Sequence, residues 1–362
     1  VAICLQKLKK LKRAWKTCLT NKTAQGSVKT LGVFISTTMK LLLTADWHIR
    51  IGQKNVPKDW QTARFRGMFS ELINVYNKHN CTRLVIAGDV FDKLPNMEEL
   101  ELYFEFLEMI SNSEVQTYII SGNHEAVKKN TTFLSNLSRA TMAASGGWAS
   151  VVDVPVSIDG VDYLPYNCLK DFAEHPQKYF PEPSQILVTH VRGEIPPHVK
   201  PEVPLELFDK WKLVLAGDLH SHTNSQRNIV YPGSPLTTSF HRQETATGVV
   251  IVDTELGGYN FVEWDMPQLI RKTVQSKDEM VKTEYHHTIY ELEGDAIDMS
   301  KGIDSELLDK KLVRKESKAS LALTNDMSIR QSLVVYLQEV MKLDSAKLAQ
   351  VLNVYDAYIK ET

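Results

Sequence analysis

The sequence predicts a layered α/β domain, followed by a small α+β unit and a helical C-terminal segment. Three observations predict it. From Met39 to about residue 265, short branched apolar runs alternate with helical patterns, as in stacked layers of sheet and helix. After Pro267 the pattern gives way to a mixed segment with a concentrated basic cluster, and from Ser328 apolar residues recur at helical spacing. At 362 residues, 43% apolar and 24% charged, the chain is long enough for two cores and unlike a disordered one.

Residues 1–38 read as a basic extension: residues 1 to 39 hold seven lysines and Arg13 with no Asp or Glu. The stretch LQKLKKLKRAWK has helical spacing and a basic face, compatible with a nucleic-acid arm, a membrane-surface arm or a transit peptide. Because Met39 leads straight into a strand, an extension upstream of the folded chain is the preferred reading. Residues 39–265 form the main domain, with strands KLLLTA (40–45), RLVIAG (83–88), VQTYIISG (115–122), QILVTH (185–190), KLVLAG (212–217) and GVVIVD (248–253). Between the second and third strands, PNMEELELYFEFLEMI predicts a helix capped by Asn96 with Glu99 at the capping-box position. Its expected buried stripe is Leu100, Phe104, Leu107 and Met109 or Ile110.

Residues 266–325 form the small unit, whose basic residues are Lys310, Lys311, Arg314, Lys315 and Lys318. A solvated charged face is the ordinary explanation and contact with a phosphate backbone the functional one. In residues 326–362, Ile329, Leu333, Leu337 and Val340 make one apolar stripe, and Leu348, Val351, Leu352, Tyr355 and Ile359 another after a break at Asp344–Ser345. Two amphipathic helices at a terminus need a partner surface, in the chain's own core or on another protein.

Composition also excludes. No apolar run approaches the roughly 18 to 20 residues that span a bilayer, so a soluble protein is expected. Cys4, Cys18, Cys81 and Cys168 are scattered without a CxxC pair, which fits a reducing, cytoplasmic setting better than a disulfide framework. A net charge of −2 is mild evidence against nucleic-acid binding unless positive charge is supplied locally.

The chemistry lies at the strand ends, where open α/β sheets bind ligands. The first strand delivers Asp46 and His48, the second Asp89 and Asp92, the third Asn123 and His124. Later strands deliver His190 and then Asp218, His220 and His222. Each alone is an ordinary turn former; five such clusters in succession are not. Carboxylate, imidazole and one amide, without thiolate, suit Mn²⁺, Mg²⁺, Fe²⁺ or Zn²⁺. There are too many ligands for one ion, and two ions about 3.5–4 Å apart suit in-line displacement at phosphorus. Glycines before Asp89, Asn123 and Asp218 permit close backbone approach in a crowded site. Glu125 reads as a helix-start residue.

In their order, DWH, GDVFD, GNHE, TH and G(D/H)xH resemble the five motifs of the calcineurin-like metallophosphoesterases, over about residues 40–240. YPGSPLTTSF (231–240) is similar to the SbcD and meiotic-recombination double-strand-break repair nuclease branch. The resemblance implies a metallophosphoesterase β-sandwich flanked by helices, a capping unit that touches DNA and C-terminal helices that dock on an SMC-like coiled-coil ATPase of SbcC type. It also implies a homodimer, with contacts near residues 61–79 and 97–110, acting in DNA recombination and repair. Two divalent ions are implied, Mn²⁺ first and Mg²⁺ second. Asp46 and His48 then ligate the first, Asp89 bridges, and Asn123 and His190 ligate the second. His124 becomes the catalytic residue, stabilising or protonating the leaving 3′ oxygen, and Asp92 a residue that could orient it.

Relatives write the last motif G-H-x-H, and here two registers compete. Aligning Gly217 gives Asp218 and His220 as ligands; shifting by two gives His220 and His222. Strand periodicity cannot decide, since all three would share a face; the first register is preferred because KLVLAG ends naturally at Gly217. Protein phosphatases of the family carry arginines before GNHE and within the second motif to clamp a terminal phosphate, whereas this chain reads ISGNHE and GDVFDK. That favours an exo- or endonuclease acting on phosphodiesters. The rivals are a phosphatase or cyclic-nucleotide phosphodiesterase on the same scaffold, and a scaffold that has lost the reaction.

Overall fold

The computed structural model describes residues 39–128, 131–281, 283–292, 307–312 and 327–361. The basic extension and the predicted contacts Arg314, Lys315 and Lys318 lie outside them.

β1 (Lys40–Thr44) shows how the layers arise. Leu41, Leu42 and Leu43 are all buried, because alternate side chains serve two cores. Leu41 and Leu43 join Val85 of β2 (Arg83–Ala87), Ile120 of β3 (Thr117–Ile120), and Val188 and Leu215 of a second sheet. Leu42 faces the other way, with Leu84, Ile86 and Ile119, onto helices α1 (Lys58–Lys78) and α2 (Met97–Ser113). Each fully buried Leu contributes roughly 1.5–3 kcal/mol. The strand is a near-continuous apolar run because both faces are covered.

Three more strands complete the first sheet: β6 (Ala149–Val152), β12 (Thr247–Asp253) and β13 (Gly258–Trp264). Its order is β13-β12-β1-β2-β3-β6, with β1, β2, β3 and β6 parallel. The second sheet comprises β7 (Val156–Ile158), β8 (Val161–Leu164), β9 (Ile186–His190), β10 (Leu213–Gly217) and β11 (Ile229–Val230), in the order β11-β10-β9-β8-β7. Its outer face packs on α4 (Tyr166–Glu174), around Phe172, Phe208 and Trp211. The two sheets therefore stack between helices. Sequence reading found β1, β2, β3 and β12 of the first sheet and β9 and β10 of the second, and missed the short β6, β7, β8 and β11 and the half-exposed β13.

In α2 the capping box forms as expected: Asn96 accepts from Glu99 N–H and Glu99 returns the bond to Asn96 N–H. The buried stripe is rotated from the expected one, and consists of Leu102, Tyr103, Phe106, Leu107 and Ile110, with Leu100 and Phe104 only half-buried. Glu99 sets that rotation, since its second oxygen accepts Ile51 N–H at 2.8 Å and draws its own side of the helix inward.

Beyond the sandwich, α3 (Phe133–Ala144) follows a small hairpin of β4 (Ala126–Lys128) and β5 (Thr131–Thr132). A parallel three-stranded sheet joins β14 (Leu269–Val274), β15 (His287–Leu292) and β16 (Leu308–Leu312). Last come α5 (Ile329–Glu339), capped by Ser328 with Gln331, and α6 (Ser345–Glu361), entered through Asp344. Among the described residues no helix is long and apolar enough to cross a membrane.

Candidate metal centre

The parallel β1, β2 and β3 end at one edge of the first sheet, and β9 and β10 at the matching edge of the second. The side chains following these ends meet between the sheets. Four residues there hold left-handed backbone that non-glycine residues rarely adopt: Asp46 (φ 55°), His48 (φ 45°), Asp89 (φ 52°) and Asp218 (φ 101°). Such strain persists where the surroundings over-determine it, as at functional sites. A methyl on Gly88 would overlap His190, one on Gly122 would overlap Asp89, and one on Gly217 would overlap the Ala87 carbonyl and His190. The three glycines before the motif residues are thus required by close packing.

Asp89 stands at the middle. Its Oδ2 lies 3.6 Å from His48 Nε2 and 3.5 Å from His190 Nε2, while its Oδ1 accepts His124 N–H at 3.0 Å. On one side, His48 Nε2 and His220 Nε2 face each other at 3.0 Å, and Asp46 has a ligand atom within 4.8 Å of both. On the other, His190 Nε2 lies 3.1 Å from Asn123 Oδ1 and 3.8 Å from Asp218 Oδ1. Asp218 N–H donates to Asp46, which ties the fifth motif to the first.

These donors fit two divalent ions. The Ala87 carbonyl can only accept, so His190 Nδ1 keeps its proton and Nε2 is the nitrogen a cation would take in place of a proton. Two ring nitrogens 3.0 Å apart need a proton or a cation between them, and among the described residues the buried His48 Nδ1 has no hydrogen-bond partner. Burial, with His220, His124 and His190 close by, holds His48 neutral down to about 2. Burial alone would lower His190, but Asp89, Asp46 and Asp218 outweigh it and lift the imidazole to about 9. Burial drives Asp46 well above the usual carboxylate range, and nearby Asp89 adds to this. A site that cannot bear its own charges is one that a cation would relieve.

Glu125 corrects the sequence reading. No helix starts there; the chain runs on into β4. The side chain is fully buried, its Oε2 accepting Asp89 N–H (3.1 Å) and Gly122 N–H (2.6 Å) and its Oε1 accepting Phe91 N–H (3.0 Å). Burial and the neighbouring Asp89 push its carboxyl up to about 7. Asp92 also departs from expectation, because its main-chain carbonyl, and not its carboxylate, takes His124 Nδ1 at 2.6 Å. The carboxylate pairs with Arg50 at 3.3 Å, and Arg192 pairs with Asp218 at 3.0 Å. Neither arginine was singled out from the sequence.

His222 is held elsewhere, with Nδ1 on the Tyr231 carbonyl at 2.6 Å and its ring stacked on Phe261 at 4.5 Å. His220 Nδ1 instead meets the Thr238 hydroxyl at 3.2 Å, which brings in the 231–240 element. Lys310 and Lys311 lie on β16, where Lys311 is 3.7 Å from Glu291.

Carboxylate and imidazole donors at the facing strand ends of a helix-flanked double sheet define a phosphoesterase that works through divalent ions. The family model of the calcineurin-like phosphoesterases matches residues 39–222, and the chain belongs to that family. Probable exonuclease subunit 1 of Escherichia phage T5 is 37% identical over 334 residues, 89% of this chain and 99% of that protein. Among solved structures, an archaeal phosphodiesterase is similar at 16% identity and TM-score 0.35, covering 62% of this chain and all of its own. Pseudomonas putida nuclease MPE is similar at 15% identity and TM-score 0.28, covering 62% of this chain and 78% of its own.

Proposed function

We propose that this chain is the nuclease subunit of a two-metal DNA exo/endonuclease that hydrolyses phosphodiester bonds in DNA recombination and repair. The observation that carries the reading is that a cleft of about 430 Å³, lined by His220 with Ser221, Thr223 and Asn224, opens beside the centre and gives a substrate strand access to it. A separate cavity of about 670 Å³ is lined by Tyr166, whose ring lies 6.0 Å from that of His190, and by none of the candidate ligands. The phage relative, an exonuclease subunit by name, aligns over nearly its whole length and points the same way.

In this reading Asp46, His48 and His220 would hold one ion and Asn123, His190 and Asp218 the other, with Asp89 available to both; Mn²⁺ would be the favoured metal and Mg²⁺ the second. Bound ions supply Lewis-acid polarisation of the phosphoryl group and a lowered water pKa. With His124 Nδ1–H held by the Asp92 carbonyl, Nε2 is the nitrogen left for the leaving 3′ oxygen, and the ring would give it a proton from the imidazolium form. Residues 266–325 serve as a capping unit touching DNA through Lys310, Lys311, Arg314, Lys315 and Lys318. Residues 326–362 dock on an SMC-like ATPase, a role supported by the outward Ile329 (78% exposed) and Val354 (71% exposed). A homodimer built by α1 and α2, in a cytoplasmic setting, completes the proposal.

Purified protein with Mn²⁺ is to be given linear DNA, plasmid DNA and a chromogenic phosphomonoester, alongside His124→Asn. DNA cleavage lost in the variant is expected. Monoester turnover without DNA cleavage would sink the nuclease reading in favour of a phosphatase.

A further inference from the structure

The same three-residue pattern occurs at both ends of the centre: His48-Ile49-Arg50 after β1 and His190-Val191-Arg192 starting at the last residue of β9. Ile49 and Val191 are buried, so each middle residue is anchored inward, with a candidate ligand before it and an arginine after it. One line of contacts then runs through the site. Arg50 Nη1 lies 3.3 Å from Asp92, Asp92 lies 3.7 Å from His48 Nδ1, and His48 Nε2 lies 3.6 Å from Asp89. From Asp89 it continues 3.5 Å to His190, 3.8 Å on to Asp218, and ends 3.0 Å away at Arg192 Nε. The two guanidiniums therefore bracket the centre.

Both stay at the rim while their acidic partners sit deeper: the Arg50 and Arg192 side chains are 41% and 44% exposed, against 25% for Asp92 and 5% for Asp218. Both are also only partly used. Arg192 spends Nε and Nη2 on Asp218, and Arg50 offers Asp92 one Nη; among the described residues their other N–H groups make no hydrogen bond. Charge counting gives them work. Asp46, Asp89, Asp92 and Asp218 bring four carboxylates, which two divalent ions only neutralise. In a chain of net charge −2, attraction for an anionic strand must then come from cations at the rim.

We infer that Arg50 and Arg192 are substrate-contacting residues that grip non-bridging phosphate oxygens of the DNA strand on either side of the cleaved bond. The inference rests on the nuclease reading. A guanidinium half-committed to a carboxylate is held in place yet still offers donors in the plane a phosphate needs. The competing explanation is that each arginine only balances its aspartate.

The test measures binding of a labelled linear DNA over a range of salt concentrations, in His124→Asn protein loaded with Mn²⁺. Arg50→Met and Arg192→Met are each expected to weaken binding on the order of tenfold, whatever the DNA sequence, and to lower the salt slope by about one. Arg192→Met combined with Asp218→His, which places the relatives' neutral residue at 218, is expected to keep the defect. Mn²⁺ affinity, read by calorimetry, should be unchanged or higher in both arginine variants, since a nearby positive charge is removed. Rescue of DNA binding by Asp218→His, an unchanged salt slope, or a parallel loss of Mn²⁺ affinity would each overturn the clamp. If the parent protein fails to bind DNA at all, the nuclease reading falls with it; parent binding with unaltered variants defeats the clamp alone.

Discussion

Glu125 Oε2 accepts the main-chain N–H of Asp89 at 3.1 Å, so the carboxylate between the two halves of the centre is set by a second, buried carboxylate from the next motif. The same side chain takes Gly122 and Phe91 N–H groups, which fixes two loops at once. Glu125→Gln would turn an amide NH₂ against one of those donors. A loss of about 1–3 kcal/mol in urea unfolding is expected, with weaker Mn²⁺ binding. Unchanged values for both would show that Glu125 does not hold the loops.

Protons and metal compete for this site. His190 is lifted from 6.5 to about 9 and Glu125 from 4.5 to about 7, so ion-free folded protein binds their protons more tightly than the unfolded chain does. That stabilisation is lost as pH rises through each folded value. His48, lowered to about 2, acts oppositely, but only below 6.5. Between pH 6.5 and 9 the signs agree: thermal stability in chelator should fall as pH rises. Mn²⁺ affinity should rise over the same window, because binding displaces the His190 proton. A flat chelator profile together with pH-independent affinity would contradict the assignment of His190.

Gly122→Ala would drive a methyl into Asp89, and ion binding should be lost with little change in helix content by circular dichroism. Gly67, exposed in α1 with open space where a Cβ would lie, is the control. Gly67→Ala should leave ion binding intact and add up to about 1 kcal/mol of stability. Equal tolerance at both positions would mean that the crowding at Gly122 is unimportant.

Arg64 is buried with no carboxylate partner among the described residues, its donors taken by the Pro267 carbonyl (2.6 Å), the Thr237 carbonyl (2.8 Å) and hydroxyl (2.6 Å) and Gln61 Oε1 (3.2 Å). It thus pins α1 to the segment entering β14 and to the neighbour of Thr238, the residue that meets His220. Arg64→Met leaves buried carbonyls unpaired and should cost roughly 2–4 kcal/mol. Urea unfolding measures it, and a change under about 0.5 kcal/mol, the range of ordinary surface substitutions, would contradict the role.

The strand ends were legible because each joins a short apolar run to a polar cluster, three of them through a glycine (Gly88, Gly122 and Gly217), and the fold only has to bring equivalent ends together. Asn96 and Glu99 were legible because a capping box is local. Glu125 was not: GNHEA looks like a helix start in isolation, and only loops distant in sequence claim its carboxylate. The rotation of α2 failed for the same reason, since it is Ile51 that draws Glu99 inward. Around AGDLHSH, strand periodicity stops at Asp218, where φ reaches 101°, and a 3₁₀ turn follows at His222–Asn224. Arg50 and Arg192 went unread because an arginine near a motif acquires meaning only when the opposite sheet edge places the other beside the same cluster.

The central claim is a paired centre shared through Asp89. Calorimetric titration of ion-free protein with Mn²⁺ tests it most directly. Two ions per chain are expected for the wild type, one for His220→Ala and for His190→Ala, and fewer than one for Asp89→Ala. A wild-type stoichiometry of one, or an Asp89→Ala variant that still binds two, would contradict it.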